Sequence, residues 1–388
     1  MESLAAWYPG APGRRFAFMP FLRELLSRLL HLDNHRLARL GWARPLQLLT
    51  YRTYGTAGRF YVKGRLLTDP GLAPATAADS RWRNFRNMAR RFLSYEIAGA
   101  GLVAERAGGA PQPIATDAEG YFTLVLEAPP QPPPGALLWQ PVAVRLAQLP
   151  GGAPLPAQPI RAVAEVLVPP AGAEFGVISD LDDTVFESGA TNFLRMGFTV
   201  LLRNALSHQP FTGVGAFYRA LQLGCTGRPD NPFFYISSSP WNLYDALDEF
   251  LALHRIPKGA LLLRDVGLRP RNPAPPTAEG LAAAAHFGHK LHEIENVLRA
   301  YPRLPFVLLG DSGQEDARIY REVVRRYPGR IRAVYIRDVQ VPKRALAIPQ
   351  LVAELRAENV EMLLVPDYAT AMRHAAARGL IADGAAGN

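Results

Sequence analysis

The spacing of apolar and polar positions changes along the chain, and each change predicts a different kind of structure. Between Pro20 and Leu32, Leu22, Leu25, Leu26, Leu29 and Leu30 follow the i, i+3, i+4, i+7, i+8 rule of one helical face, with Arg23 and Arg28 elsewhere on the wheel. This predicts an amphipathic helix that either docks on the protein's own core or lies in the plane of a membrane with Phe21 and Trp42 at the interface. From Arg59 to about Pro169 the pattern shortens to alternating or β-branched runs, Phe60–Leu67, Tyr121–Leu126, Leu138–Leu146 and Arg161–Val168, broken by Gly and Pro. A small antiparallel β-sandwich-like domain is expected there, with Thr116–Phe122 as a turn feeding a strand. After Ala171 apolar strands alternate with helical stretches. The strands end at Asp180 and near Ser237, then recur at Leu261–Leu263, Phe306–Leu309 and Ile331–Ile336; Asn242–Leu253 and Asp316–Arg326 read as helices. Such alternation predicts an α/β domain with a doubly wound parallel sheet, whose site lies beyond the carboxyl ends of the strands. The expected division is 1–58, a basic helical region; 59–170, the β domain; and 171–388, the α/β domain.

Composition narrows the class. A chain of 388 residues, 48% hydrophobic and 20% charged, is globular and enzyme-sized rather than disordered or fibrous. No apolar run reaches the roughly 18 to 20 residues that span a bilayer, and Met1–Pro20 lacks a basic segment followed by an apolar core, so membrane spanning and secretion are not expected. Cys225 stands alone, which excludes an internal disulfide framework and a multi-cysteine zinc cluster and suits a cytoplasmic setting. The net charge is +9, and Arg residues crowd the first sixty positions against only Glu2, Glu24 and Asp33. That asymmetry suggests a polyanionic partner. Arg81, Arg83, Arg86, Arg90 and Arg91 interleave with Trp82 and Phe85 in a second basic stretch, read as a solvated helical face or a phosphate-contacting one. Neither a helix-turn-helix nor an aromatic RNA-reading signature occurs, so an anionic membrane surface is the expected partner and nucleic acid is not. Pro129–Gly135 and Pro270–Pro276 read as stiff surface loops.

The chemistry concentrates where two strands end. Phe175–Thr184 is an apolar run feeding Asp180, Asp182, Asp183 and Thr184; acids this close repel one another unless a divalent cation neutralises them, and a hard ion such as Mg²⁺ suits oxygen donors. The spacing does not fit an EF-hand. Phe306–Asp316 repeats the arrangement, with Asp311, Glu315 and Asp316 after a buried strand. On one rim of a parallel sheet Asp180 and Asp311 can share an ion. Between them, Asn231–Trp241 delivers Ser237, Ser238 and Ser239, hydroxyls that bind phosphate without adding charge. Lys290 taken alone reads as a solvated surface residue; before the fourth strand it would balance phosphate and carboxylate charge. His208 and His286 have no evident partner and receive no role.

This order of motifs resembles the haloacid dehalogenase superfamily of phosphotransferases. The wording of Ser179–Thr184, Tyr235–Trp241, Pro257–Asp265 and Gly310–Tyr320, with Leu363–Asp367 near the end, is similar to the actin-patch type of phosphatidate phosphatase catalytic domain, related to the lipins. Asp183 stands where lipins carry Gly. The resemblance implies a haloacid dehalogenase-type sheet with a small helical cap insertion after the first motif, where Phe193, Met196, Phe198, Leu201 and Leu202 read as packing or as acyl-chain contacts. It further implies that Asp180 is the nucleophile forming an aspartyl-phosphate and Asp182 the acid and base. Thr184 would brace the loop, Ser237 (with Ser238 or Ser239 as alternatives) would bind phosphate, and Lys290 would hold the charged intermediate. Mg²⁺ would be held by Asp180, the Asp182 carbonyl and Asp311, with Asp316 or else Glu315 positioning the shell. The implied function is hydrolysis of a lipid phosphomonoester, phosphatidate first, at a membrane surface. The alternatives are the same chemistry on a soluble phosphomonoester or phosphoprotein, and a non-catalytic module that binds anionic membranes.

Overall fold

The computed structural model of the protein describes residues 45–56, 58–68, 96–127, 138–181, 184–185, 210–264, 278–339 and 348–383. The predicted helix at Pro20–Leu32, the Arg81–Arg91 run, both proline-rich stretches, Asp182, Asp183, His208 and the expected cap around Phe193–Leu202 lie outside these residues. The described residues from Gln47 onward form one compact unit.

The first half is built of short strands. β1 (Leu46–Thr50), β3 (Arg59–Thr68) and β6 (Tyr121–Glu127) make one sheet in the order β1-β3-β6. β2 (Thr53–Tyr54), β4 (Gly101–Arg106), β5 (Gln112–Ala115), β7 (Trp139–Gln148) and β8 (Arg161–Leu167) make another in the order β2-β8-β7-β4-β5. The runs at 60–67, 121–126, 138–146 and 161–168 are strands as expected, and β7 alternates buried and exposed positions as a half-solvated strand should. The turn before β6 is closed by Asp117, whose carboxylate accepts from the amides of Glu119 and Tyr121 at 2.9 Å, with Gly120 at φ +75°. Among the described residues, β2 pairs with β8 in parallel, a departure from the expected antiparallel pattern.

The second half is a six-stranded sheet in which every pairing is parallel. It comprises β9 (Gly176–Asp180), β10 (Phe233–Pro240), β11 (Ala260–Arg264), β12 (Phe306–Asp311), β13 (Ile331–Arg337) and β14 (Glu361–Val365), in the order β11-β10-β9-β12-β13-β14. β9 and β12 are buried throughout, which is why they read as continuous apolar runs. Helices cover both faces. α1 (Val214–Leu223), α2 (Tyr244–Leu253) and α6 (Tyr368–Ala377) bury Phe217, Leu221, Leu247, Phe250 and Ala371 with Val177 and Leu309. α3 (Ala278–Ala300), α4 (Asp316–Arg326) and α5 (Ile348–Ala357) bury Ile294, Val297, Ile319, Val323 and Leu355 against Ile178, Leu308 and Val334 on the other face.

The two halves share a polar and aromatic seam. Tyr51 stacks on Trp241 with ring centroids 4.5 Å apart, Arg65 donates to Asn242 at 2.9 Å, Arg52 pairs with Asp248, Lys258 pairs with Glu165 at 2.5 Å, and the Tyr301 hydroxyl donates to the Gly55 carbonyl at 2.8 Å. Among the described residues no helix is long and apolar enough to cross a membrane.

Candidate functional site

The strand order fixes where a ligand belongs. From β9 the chain steps to β10 and β11 on one side and to β12, β13 and β14 on the other, so the connections diverge between β9 and β12. In an open parallel sheet the crevice beyond the carboxyl ends at such a point is the natural binding site. The register pairs Leu309 with Ser179 and Ile236 with Asp180. Asp180, Asp311 and Ser237 therefore emerge together on one rim, as the sequence pattern required.

One carboxylate oxygen from each of Asp180, Asp311 and Asp316 lies within 4.8 Å of the others, and all three residues are buried. Lys290 sits among them at 2% exposure, its Nζ 2.7 Å from Asp180 Oδ1 and 2.7 Å from Asp316 Oδ1. Burial opposes the ammonium charge, but the carboxylates of Asp180, Asp316 and Asp311 outweigh it and hold the group well above its ordinary value. The solvated-surface reading of Lys290 does not hold. Its place on α3 explains why: Lys290 shares the apolar helical face of Ile294 and Val297, and that face is turned to the sheet.

Asp316 begins α4, where a helix N-terminus favours an acid. Its Oδ2 accepts from the Asp311 amide at 3.2 Å. The approach depends on Gly310, where a Cβ would lie 2.7 Å from the Asp316 Cβ. Glu315 stays out of the cluster, its carboxylate 2.8 Å from Arg318 Nη1. Asp311 Oδ1 accepts from the amides of Gly313 at 2.6 Å and Gln314 at 3.0 Å, which fixes the loop that carries it.

Gln314 received no role from sequence reasoning. Its Nε2 donates to Asp180 Oδ2 at 3.2 Å and to Asp311 Oδ2 at 3.0 Å, while its Oε1 accepts from Lys290 at 3.3 Å. The amide nitrogen thus bridges the two carboxylates. A donor shared between two converging acid oxygens, in an all-oxygen cluster, fits a hard divalent ion such as Mg²⁺. The only sequence signal for Gln314 is its place inside the Asp311–Asp316 loop.

The remaining expected residues fall as follows. Ser237 and Ser239 are buried and Ser238 is half-buried. Ser237 Oγ accepts from the Ser239 amide at 3.0 Å. Thr184 is buried, and its carbonyl accepts from the Tyr368 hydroxyl. Behind Asp180, the hydroxyls of Ser179 and Tyr218 are 2.7 Å apart and Ser179 donates to the Asp180 carbonyl at 2.6 Å. Burial raises the Tyr218 and Tyr368 phenols, so both remain protonated donors bracing the strand end.

The family model described as phosphatidate phosphatase APP1, catalytic domain, matches residues 175–338. The phosphatidate phosphatase APP1 of Saccharomyces cerevisiae is 28% identical over 162 residues, 42% of this chain and 25% of that protein. An uncharacterised protein of Schizosaccharomyces pombe is 30% identical over 166 residues, again 42% of this chain and 25% of the relative. The similarity thus spans about a quarter of these curated relatives' length. The stretch 175–338 contains Asp180, Ser237, Ser238, Lys290, Asp311 and Asp316, and it is similar to the phosphatidate phosphatase APP1 catalytic domain.

Proposed function

We propose that the protein is a Mg²⁺-dependent phosphatase that hydrolyses a lipid phosphomonoester, phosphatidate first, and that its α/β domain is of the haloacid dehalogenase type with a cap between Thr184 and Asn231. The observation that carries this reading is Lys290 held at 2.7 Å from both Asp180 and Asp316, with Asp311 in the same cluster. Three buried acids and one buried ammonium are costly to a fold and have a use at a site that receives phosphate.

In this reading an Asp180 oxygen attacks phosphorus, the bond from phosphorus to the alcohol oxygen breaks, and Asp182 gives its proton to the departing alkoxide. Asp182 then takes a proton from water, whose oxygen attacks the aspartyl-phosphate, releasing inorganic phosphate and restoring the Asp180 carboxylate. Lys290 keeps Asp180 ionised and balances the charge of the intermediate. Ser237 and Ser238 bind phosphate oxygens, and Thr184 braces the loop through its carbonyl bond to Tyr368. Asp180, the Asp182 carbonyl, Asp311 and Asp316 would hold Mg²⁺. When bound, the ion offsets the repulsion between an anionic nucleophile and an anionic ester. The basic front of the chain would bring the protein to an anionic membrane surface from a cytoplasmic location.

The test is phosphate release from phosphatidate in mixed micelles, with Mg²⁺ and with chelator. Asp180→Asn should fold normally and lose turnover by about 10⁴-fold or more. Retention of wild-type turnover by that variant would remove the reading.

A further inference from the structure

A cavity of about 460 Å³ lies between the β domain and the parallel sheet. The β domain lines it with Tyr61, Lys63 and Thr123, and the α/β domain with Arg264, His289 and Glu293. Its floor, Leu262 and Leu263, belongs to β11. β11 pairs with β10, and β10 with β9, so the floor is two strand spacings from Asp180, roughly 10 Å in the plane of the sheet. α3 joins the two places directly. His289 lines the cavity and its ring bonds the Ser237 backbone, while the next residue, Lys290, reaches Asp180.

The walls are mostly apolar with a few cationic donors. Lys63 Nζ lies 4.3 Å from the Trp241 ring centroid, and Trp241 also lines the space. Among the described residues the Arg264 guanidinium makes no ion pair or hydrogen bond. A half-buried guanidinium beside an apolar floor calls for an acceptor, and the described residues do not supply one.

We propose that this cavity is the subsite for the glycerol and ester oxygens next to the phosphate of a glycerolipid monoester, with Arg264 and Lys63 binding those oxygens and the β domain forming the outer wall. The assignment rests on the phosphatase reading above. It gives the β domain a part in substrate choice: a phosphate seated at Asp180 would place its organic portion against Lys63, whereas a small aryl phosphate would not reach it.

The test measures kcat and KM for dioctanoyl phosphatidate and for p-nitrophenyl phosphate with Mg²⁺ in wild type, Arg264→Gln and Thr123→Trp. The second variant fills the cavity from an exposed position of β6. The preference for the lipid over the aryl ester should fall about tenfold in Arg264→Gln (~1.4 kcal/mol) and comparably in Thr123→Trp, and the loss should appear in KM. An unchanged preference in both variants, each folded by circular dichroism, overturns the subsite, as does a loss carried by kcat alone. Wild type that cleaves the aryl ester but not the lipid overturns the glycerolipid assignment and leaves the phosphatase chemistry standing. Inactivity of wild type on both esters overturns the phosphatase reading and the subsite with it.

Discussion

Replacing Lys290 by Met should damage stability in a way that depends on pH. The ammonium lies 2.7 Å from two buried carboxylates. At an effective dielectric of about 20, each pair contributes about 6 kcal/mol of gross attraction at that distance. Burying the ammonium costs several kcal/mol in return, and breaking such a network typically costs about 3 to 5 kcal/mol because the acids are left uncompensated. Against a total stability of about 5 to 15 kcal/mol, the loss is large and measurable by urea unfolding in Mg²⁺-free buffer with chelator. Without Lys290 one acid of the cluster should take up a proton in the native state, with its folded value raised above the roughly 3.9 of an unfolded Asp. A group shifted upward stabilises fully below its unfolded value and loses that contribution as pH rises through the folded one. The deficit of Lys290→Met should therefore be about 4 kcal/mol at pH 8 and should narrow toward pH 5. A deficit below about 1 kcal/mol at pH 8, or one that stays constant to pH 5, would refute the account of three acids held together by one cation.

Removing the bridging amide in Gln314→Ala should lower the melting temperature without Mg²⁺ and enlarge the rise that Mg²⁺ produces, read by differential scanning fluorimetry; a smaller rise than wild type would contradict the cation-site assignment. Gly310→Ala would put a methyl 2.7 Å from the Asp316 Cβ and 2.9 Å from the Tyr320 ring. It should cost about 1 to 3 kcal/mol and weaken Mg²⁺ binding by calorimetry, and full binding would show that α4 can shift without disturbing the acids. Burial, aided by Arg264, pushes the His289 imidazole down to about 4. Protons then bind the unfolded chain first, so this group withdraws stability as pH falls from about 6.5 to 4, by as much as about 3 kcal/mol. Urea unfolding of His289→Gln should lack that component, and parallel pH profiles for variant and wild type would count against it.

The α/β half was legible because its strands are buried on both faces. Gly176–Asp180, Phe233–Pro240, Ala260–Arg264, Phe306–Asp311 and Ile331–Arg337 all fall on the apolar runs that predicted them. β14 was not foreseen: it is an edge strand, and Leu364 at 37% exposure blurs its pattern. β4 and β5 escaped because they are short, β4 opens on Gly101, Gly108 and Gly109 fall in the turn between them, and β5 has no buried position. β2 has two residues, too few for any period, and its parallel pairing depends on a partner more than a hundred positions away. At the site, Asp180 and Asp311 were visible because each terminates an apolar strand, and Asp316 because it follows in the second acidic cluster. The depth of Lys290 was also present in its helical spacing from Ile294 and Val297, although a lone lysine suggests solvent. Gln314 was not legible, because a glutamine in a polar loop acquires its place only when β9 and β12 lie side by side.

The seam between the two halves means that evolutionary kinship and physical self-sufficiency have different borders in this polypeptide. The matched stretch ends at residue 338, before β14 closes the flank of β13, and begins after the strands that cover Trp241 and Tyr301. Cut out at those limits, the fragment would bare aromatic rings at one margin and an unpaired backbone ladder at the other, both invitations to self-association. Expression work should therefore keep Gln47–Ile381 together.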